Sequence, residues 1–446
     1  MLGAGESGTG AALLAKAKGY DVFVSDNGAI ATKFKEQLQE AGIRFEENQH
    51  SLDTILASHT VVKSPGIPDK VEVVGKLKTK GVEVIDEVEF ASRFTEAKFI
   101  AITGTNGKTT TTLLTYHLLK SAGLNVGLAG NVGQSLAKQV IKDSFDFYVL
   151  ELSSFQLDGL TTFHPHISIL LNITPDHMDR YDYSLQKYCD SKFRITHNLT
   201  AENHFINFSD NALIKEGIAQ REFTATMHGV SLQDQDCTAY LNGEVMYFED
   251  GLEISQGETV LRGPHNAINM MSAITAARIL GVSEKDIRDG LKTFKNAAHR
   301  LEYVATINDV SFINDSKATN VDSVKYALES FSEPLVWIAG GIDKGNDYDL
   351  IMESVNEKVK ALVCLGKDNS KLREAFHKEI INLLETDNMK TAVRSAMDYA
   401  QANDVVLLSP ACSSFDLFKN YEDRGNQFKD AVIELKKEFE NKSSNQ

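Results

Sequence analysis

The chain has 446 residues, of which 42% are hydrophobic and 24% charged. This composition is that of an ordinary soluble globular protein and excludes a disordered or collagenous chain. The formal net charge of −16 opposes binding to nucleic acid or to an anionic membrane surface, because both are negatively charged. A chain of this length corresponds to about three domains.

The four cysteines lie far apart and form no Cys-x-x-Cys pair: Cys189, Cys237, Cys364 and Cys412. This spacing disfavours a disulfide framework or a zinc ribbon and is typical of buried, reduced thiols in a cytosolic protein. No apolar run approaches the roughly 18 residues that cross a bilayer, and we find no secretion signal. We therefore expect a cytoplasmic protein without integral membrane contact.

The first segment begins with a glycine-rich loop. Residues 3–8 read GAGESG, a GxGxxG pattern that should follow a strand and open a helix. We predict that helix over residues 9–18, but only two residues precede the loop, so most of the expected first strand is missing. Strands and helices alternate beyond it, with strands at 21–25, 60–63 and 82–85 and a helix at 32–41. This alternation predicts a parallel sheet in a Rossmann-like domain over residues 1–94.

The second segment, for which we predict residues 95–297, contains a phosphate-binding turn. Its predicted elements are strands at 99–103, 147–152 and 167–172 and a helix at 108–121. The turn GTNGKTT at 104–110 connects the first strand to the helix. Its glycines let backbone N–H groups approach phosphate oxygens, while Lys108 can neutralise phosphate charge and Thr109 can hold Mg²⁺. The segment therefore reads as a P-loop ATPase-like domain, although Ile102 stands where the first Walker glycine belongs.

Other polar residues follow strands of the same predicted sheet. Glu151 follows one strand, and Asp176-His177-Met178-Asp179 follows another. Ligands of such sheets bind beyond the carboxyl ends of the strands, so both groups are candidate Mg²⁺ ligands. From the residues alone, a surface acid and an ordinary loop histidine remain open.

Two further residues have simple structural interpretations. Lys192 lies in a predicted helical stretch, residues 188–195, where an exposed lysine is the default. Asn266 precedes a helix predicted to start near Ala267 and suits its N-cap, although an amide there could also contact an adenine or a ribose.

The third segment, predicted over residues 298–446, repeats the α/β pattern. Its expected strands lie at 310–314, 335–339, 361–365 and 405–408, and its last helix at 427–440. Polar loops follow three of these strands, at 314–320, 340–345 and 409–414. They predict a second Rossmann-like domain with a pocket for a small dicarboxylate, and an ordinary solvated sheet edge is the alternative.

The motifs of the chain resemble those of the Mur ligases, in the same order and over essentially the whole length. They are TGTNGKTT, GNVG, ELSSFQL, DHMDRY, PHNAIN, HRLE, NDSKATN, GGIDKG and SPACSSFDLFKNYEDRG. That family has a P-loop without the first Walker glycine, so Ile102 agrees with the resemblance. The resemblance implies an α/β protein of three consecutive domains that hold a nucleotide sugar, ATP and an amino acid.

The resemblance further implies an ADP-forming carboxylate–amine ligase of peptidoglycan synthesis. The NDSKATN and SPACSSFDLFKNYEDRG forms are similar to those of members that add D-glutamate to UDP-N-acetylmuramoyl-L-alanine through an acyl phosphate. ATP, Mg²⁺ (two ions) and these two compounds are therefore the expected ligands, and we expect a monomer.

The resemblance assigns roles to the matching residues. The expected catalytic residues are Lys108, Glu151, His177 and Lys192, the last as a carbamate. Thr109 and Glu151 would hold one Mg²⁺, and His177 with carbamylated Lys192 the second. The expected ATP contacts are Gly104, Thr105, Asn106, Gly107, Lys108, Thr109, Thr110, Asn266, Arg300 and Asp315. The expected substrate contacts are Glu6, Ser7 and Asp26 at the uridine diphosphate, Asn131 at the sugar, and Lys317, Thr319, Lys344, Ser414, Phe415 and Tyr421 at D-glutamate. Many family members carry Phe at position 421 and Leu at position 415.

Other classes of protein remain as alternatives. GxGxxG with Asp26, 18 residues after Gly8, is an NAD fingerprint, but a nicotinamide dehydrogenase would leave TGTNGKTT without a purpose. A regulatory P-loop NTPase is a second alternative. Closer ones are the ligases that add L-alanine, a diamino acid or a dipeptide, and folylpolyglutamate synthase, and the SKATN loop distinguishes them.

Overall fold

A computed structural model describes residues 1–443, which form two compact units. The first unit comprises residues 1–260 and 266–294, and the second comprises residues 261–265 and the chain from Lys295 onward. Both units are α/β. No helix in the described part of the chain is both long enough and apolar enough for a membrane span.

Short strands alternate with helices in the amino-terminal part of the first unit. The elements are α1 (Glu6–Ala17), β1 (Phe23–Ser25), α2 (Thr32–Glu40), β2 (Arg44–Glu46), α3 (Leu52–Leu56), β3 (Thr60–Val62), α4 (Glu72–Thr79), β4 (Glu83–Ile85) and α5 (Glu87–Ser92). β1 pairs in parallel with β2, and β3 with β4. Leu2 forms one parallel β-bridge with Ser25 of β1 and another with Lys63, which directly follows β3. This single residue therefore stands where we expected a first strand.

A nine-stranded sheet forms the rest of the first unit. The elements are β5 (Lys98–Thr103), α6 (Lys108–Ser121), β6 (Val126–Gly130), α7 (Leu136–Val140), β7 (Phe147–Glu151), α8 (Ser154–Leu157), β8 (Ile167–Leu170), α9 (Leu185–Phe193), β9 (His204–Phe208), α10 (Ala212–Ala219), β10 (Thr226–Ser231), β11 (Ala239–Asn242), β12 (Val245–Phe248), β13 (Glu253–Ser255), α11 (Pro264–Ile279) and α12 (Glu284–Thr293). The strand order is β13-β12-β11-β10-β9-β8-β5-β7-β6. β8, β5 and β7 are thus neighbours, and they run parallel.

One hydrophobic core joins the two parts of the first unit. It includes Leu14 of α1, Val88 of α5 and Leu150 of β7. The buried Glu87 carboxylate adds a polar link, because it accepts hydrogen bonds from Ser135 Oγ and from the backbone N–H of Ala137, both at 2.7 Å. The domain boundary at residues 94–95 stays a prediction, because the core continues across it.

The second unit contains a six-stranded sheet. The elements are β14 (Glu302–Ile307), β15 (Val310–Asn314), α13 (Val321–Glu329), β16 (Leu335–Ala339), α14 (Met352–Lys358), β17 (Val359–Leu365), α15 (Ser370–Phe376), β18 (Asn382–Thr386), α16 (Met389–Tyr399), β19 (Val405–Leu408) and α17 (Tyr421–Ser443). The strand order is β14-β15-β19-β16-β17-β18, and only the β14–β15 pair of this sheet is antiparallel.

Both faces of this sheet are buried. In β16, Leu335, Trp337 and Ala339 belong to one core cluster, whereas Val336 and Ile338 belong to the other. This division follows the two-residue period of a strand. A strand covered on both faces reads as a continuous apolar run, which is why the sequence predicts β16 with its exact bounds.

Candidate active site

A glycine-rich turn connects β5 to α6. Gly107 directly precedes α6 and has φ 82, in the left-handed region that glycine adopts without strain. Gly104 packs closely on the residue that follows β8, since a Cβ at position 104 would lie 3.0 Å from Leu171 Cβ. The turn thus presents backbone at the N-terminus of a 14-residue helix, an arrangement that favours phosphate binding.

Asn172 and Tyr188 hold this turn in place. Asn172 accepts a hydrogen bond from the Asn106 N–H at 2.8 Å through Oδ1 and donates to the Asn106 carbonyl at 3.0 Å through Nδ2. The Tyr188 hydroxyl lies 3.0 Å from Thr105 Oγ1. Sequence reasoning missed both roles. A polar asparagine at the end of a buried apolar run was the available signal for Asn172.

Two lysines converge on one backbone oxygen of the turn. Lys108 Nζ donates to the carbonyls of Gly104 and Thr105, both at 2.8 Å, and Lys192 Nζ donates to the same Gly104 oxygen at 2.7 Å. Lys192 is only 1% exposed, so the default expectation of an exposed lysine is wrong. Positions 188 and 192 share a helix face, and α9 turns that face inward. Burial, together with the charge of Lys108, lowers the pKa of Lys192 well below its ordinary value.

Glu151 lies at the same sheet edge with one unsatisfied oxygen. It ends β7 beside Ile102 of β5 and Gly130 of β6, and it is 1% exposed. Its Oε1 accepts a hydrogen bond from Asn131 Nδ2 at 2.6 Å, whereas its buried Oε2 has no partner among the described residues. A buried polar atom without a partner is costly, and a carboxylate oxygen in that state suits a cation. Gly130 has φ 95, and a side chain there would collide with the Glu151 carbonyl.

His177 follows β8 on a loop at this edge. Its Nε2 lies 3.6 Å from Asp176 Oδ2, and its ring meets Phe155 edge-on at 5.1 Å. The negative charges of Asp176 and Glu151 both act on Lys192. Glu151 therefore ends, and Lys108 and His177 follow, three adjacent parallel strands. Within residues 1–443, no group of three or more His, Cys, Asp or Glu side chains could hold a metal ion by itself.

Asn266 is not a helix N-cap, so that prediction is wrong. α11 begins at Pro264, because proline lacks an N–H and suits a first helical turn. Asn266 is buried in that turn and accepts a hydrogen bond from Asn269 Nδ2 at 3.2 Å. Asn269 Oδ1 in turn accepts from Thr111 Oγ1 of α6 at 3.1 Å. This chain of contacts places Asn266 beside the helix of the phosphate turn.

Asp26 and Glu6 flank the amino-terminal glycine-rich loop. The Asp26 carboxylate accepts from the N–H groups of Ala4 at 2.7 Å and Gly28 at 2.8 Å, so it holds the loop in shape. Glu6 begins α1 and pairs with Lys138 at 2.8 Å, and Ser7 follows it, half-buried.

In the second unit, Arg424 joins the loops after β15, β16 and β19. Its guanidinium donates to Ser316 Oγ at 3.0 Å and to the carbonyls of Ser316 at 2.9 Å, Gly340 at 3.2 Å and Cys412 at 3.1 Å. It is 1% exposed, and this burial lowers its pKa to about 10. Sequence reasoning missed this residue, because its four acceptors lie on three separate loops.

These loops carry the residues expected to meet the amino acid. Lys317 Nζ lies 3.6 Å from the centre of the Tyr421 ring, a cation–π contact. Ser414 is buried, Thr319 is half-buried, and Lys344 and Phe415 are exposed.

Asp315 and Arg300 also lie in the second unit. Asp315 Oδ2 accepts a hydrogen bond from Ser409 Oγ at 3.0 Å. Burial raises the pKa of Asp315 to about 7, against the opposing charges of Arg300 and Arg424.

Known proteins match nearly the whole chain. Three family models match it: the MurD N-terminal domain over residues 1–73, the Mur ligase middle domain over 102–277, and the Mur ligase, glutamate ligase domain over 299–412. A UDP-N-acetylmuramoylalanine--D-glutamate ligase from Cytophaga hutchinsonii is 51% identical over 98% of both chains. The chain belongs to the Mur ligase family. A ligase of the same name from Bacteroides fragilis is 50% identical over 98% of this Mur ligase and 99% of the relative.

Solved structures confirm the predicted three-domain α/β fold. A pseudomurein peptide ligase type C from Methanothermus fervidus has a TM-score of 0.63 and 19% identity, over 98% of this Mur ligase and 99% of that chain. A MurF ligase from Thermotoga maritima in complex with ADP has a TM-score of 0.63 and 14% identity, over 96% and 99%. Membership of the family argues against the dehydrogenase and the regulatory NTPase.

Proposed function

We propose that this Mur ligase joins D-glutamate to UDP-N-acetylmuramoyl-L-alanine, with conversion of ATP to ADP and phosphate, in cytoplasmic peptidoglycan precursor synthesis. The names of relatives about 50% identical over the full length supply the substrates. The convergence of Lys108, Glu151 and Lys192 at one sheet edge carries the proposed chemistry. The protein is proposed to act as a monomer.

The reaction requires activation of a carboxylate. A carboxylate oxygen of the L-alanyl group attacks the γ-phosphorus of ATP, which yields an acyl phosphate and ADP. The amine of D-glutamate then attacks the acyl carbon, phosphate leaves, and the nitrogen loses a proton. Lys108 and the N–H groups of the 104–110 turn stabilise the charge on the transferring phosphoryl group.

The residues at this edge suit Mg²⁺, which neutralises phosphate charge when bound. Thr109 and Glu151 would hold one ion, and the unsatisfied Glu151 Oε2 supports this assignment. His177 would hold the second. Magnesium usually keeps several waters and binds substrate phosphates through few protein ligands, which agrees with the lack of a three-residue cluster within residues 1–443.

Lys192 is proposed to carry a carbamate. Its ammonium would first lose one proton. The neutral amine would then add to the carbon of CO₂ and lose a second proton, so that a carbamate anion replaces a cation. The lowered pKa of Lys192 supports this step because it leaves the nucleophilic amine available. The carbamate would also balance the charge of Lys108 and provide an oxygen for the second Mg²⁺.

The remaining expected contacts are part of the proposal. The residues proposed to contact ATP are Gly104–Thr110, Asn266, Arg300 and Asp315. The nucleotide sugar would meet Glu6, Ser7, Asp26 and Asn131. D-glutamate would meet Lys317, Thr319, Lys344, Ser414, Phe415 and Tyr421.

An ADP-release assay tests the proposal. Purified protein is given ATP, Mg²⁺ and one amino acid (D-glutamate, L-alanine or lysine), each with its matched nucleotide precursor. ADP release with D-glutamate and UDP-N-acetylmuramoyl-L-alanine alone is expected. ADP release only with another amino acid and its precursor would assign the chain the activity of a ligase that adds that other amino acid.

A further inference from the structure

Arg180 connects two loops of the first unit. It lies in a short helical turn, Met178–Tyr181, directly after His177. Its guanidinium donates to the backbone carbonyls of residues 65, 66 and 67, at 2.8, 3.2 and 3.2 Å. The planar guanidinium supplies several donors in a fixed arrangement, which the single ammonium of lysine does not.

On its other side, Arg180 supports His177. The Arg180 guanidinium carbon lies 4.4 Å from the centre of the Phe155 ring, and that ring meets the His177 ring edge-on at 5.1 Å. The Arg180 backbone N–H donates to the His177 carbonyl at 2.9 Å. His177 has φ 52, and a non-glycine residue persists in this conformation only where its surroundings hold it. Arg180 and Phe155 provide two of those contacts.

The 64–67 loop that Arg180 contacts lies against the amino-terminal glycine-rich loop. The Ser64 N–H donates to the Leu2 carbonyl at 2.9 Å. The Ser64 side chain also fills the space beside Gly3, where an added Cβ would collide with it. A ligand that orders the glycine-rich loop therefore acts on the 64–67 loop through direct contact.

We infer that Arg180 is a positioning residue that couples the nucleotide-sugar site at the glycine-rich loop to the placement of His177 at the phosphate edge. Ordering of one loop by its ligand fixes the carbonyl acceptors of Arg180, and Arg180 with Phe155 then fixes the His177 ring. Such coupling is reciprocal, so each ligand strengthens the binding of the other. The inference rests on the proposed function, which supplies the two ligands.

Binding measurements test the coupling without turnover. The affinity for Mg²⁺ with a non-hydrolysable ATP analogue is measured by calorimetry, with and without saturating UDP-N-acetylmuramoyl-L-alanine. In the unmodified protein, the nucleotide sugar is expected to raise this affinity about fivefold or more. In Arg180→Met, the ratio of the Mg²⁺ affinities with and without the nucleotide sugar should be close to one. The Mg²⁺ concentration for half-maximal ADP release should rise, and the KM for D-glutamate should stay unchanged. Arg180→Lys should keep a reduced ratio.

Arg221→Met is the matched control. The Arg221 guanidinium also lies 4.4 Å from an aromatic ring, that of Phe193, and donates to the Gly217 carbonyl at 2.9 Å, but it does not contact the 64–67 loop. The ratio of the Mg²⁺ affinities with and without the nucleotide sugar should be the same in Arg221→Met as in the unmodified protein. If Arg180→Met does not fold, Phe155→Leu breaks the same connection and should also lower the ratio.

Two results would overturn the inference and one would overturn the function beneath it. An unmodified protein that releases ADP with D-glutamate but shows a ratio of one has no such coupling. A ratio unchanged in Arg180→Met or Phe155→Leu would exclude Arg180 as the connection. Absence of ADP release in the unmodified protein, with activity on another pair, would instead refute the proposed function.

Discussion

Lys108 and Lys192 donate to the same carbonyl oxygen, that of Gly104, at 2.8 and 2.7 Å. Two ammonium groups on one acceptor repel each other, and burial of Lys192 leaves little water to screen them. The arrangement favours a neutral Lys192 beside a charged Lys108. The first predictions follow from this relationship.

Lys192→Ala is expected to lower the rate of ADP release by about 100-fold or more, the scale of losing one electrostatic stabiliser. Small carboxylic acids should restore part of the rate, because they can occupy the space of the proposed carbamate. Lys187→Ala is the control, since Lys187 lies on the same helix but is exposed and pairs with Asp182. An unchanged rate in Lys192→Ala would remove the carbamate from the proposal.

Lys108→Ala should abolish turnover and also raise the pKa of Lys192, because the Lys108 charge contributes to lowering it. The pH profile of the ¹³C-carbamate signal, compared between the two proteins in the same labelled bicarbonate buffer, reports the shift of this pKa. The midpoint should move to higher pH in Lys108→Ala. A midpoint that does not move would show that the two lysines do not interact in solution.

Glu151→Gln separates function from stability. The glutamine keeps the oxygen that accepts from Asn131 Nδ2 but removes the charge from a buried position. We expect a melting temperature no lower than that of the unmodified protein, with ADP release reduced about 100-fold. A thermal melt beside the activity assay measures both. Loss of stability with retained activity would contradict the proposed metal role.

Arg424→Lys should weaken D-glutamate recognition. A lysine cannot serve all four oxygens that Arg424 contacts, so buried acceptors lose their donors at a cost of about 1–3 kcal/mol. We expect the KM for D-glutamate to rise about tenfold, the equivalent of about 1.4 kcal/mol. Arg394→Ala, which breaks a surface pair with Glu438, should change stability by less than about 1 kcal/mol. An unchanged KM in Arg424→Lys would limit Arg424 to a structural role.

A histidine cluster on β8–β10 should make the protein less stable in mild acid. His204 Nδ1 lies 3.1 Å from His228 Nε2, and His166 meets His204 edge-on at 5.7 Å. Burial lowers the pKa of all three, and Lys98 lowers that of His166 further. The unfolded chain then binds more protons than the folded one below pH 6.5, so the free energy of unfolding falls as the pH drops through that value.

Urea unfolding at pH 7.5 and 5.5 measures this effect. At pH 7.5, the free energy of unfolding of His228→Gln should be about 1 kcal/mol below that of the unmodified protein, because the substitution disturbs a hydrogen bond. Between pH 7.5 and 5.5, this free energy should fall less in His228→Gln than in the unmodified protein. An equal acid loss in both proteins would show that this cluster does not titrate on unfolding.

The sequence predicts local structure well where burial has a local pattern. The bounds of α6, β15, β16 and β19 agree with prediction. For the three strands the reason is that apolar runs between polar turns define buried parallel strands. The sequence predicts that α11 starts near Ala267, whereas the helix starts at Pro264. The prediction is wrong because Pro264 and Asn266 are both typical of a helix N-terminus. Lys192 could not be placed from local pattern, since its acceptor at Gly104 lies 88 residues away. Only the resemblance to a family identified Lys192. Arg424 was not predicted, because its acceptors lie on three separate loops.

The single tryptophan of the chain is Trp337, whose fully buried indole donates to the Ser409 carbonyl at 2.7 Å. Ser409 begins the loop that carries Ser414 and Phe415. Fluorescence excited at the tryptophan absorption band therefore reports on the second unit alone. Its emission maximum is set by the buried, hydrogen-bonded environment of the indole. Spectroscopy of the native chain can thus test the proposed binding of D-glutamate by this unit, and follow the melting of its sheet, without an added dye.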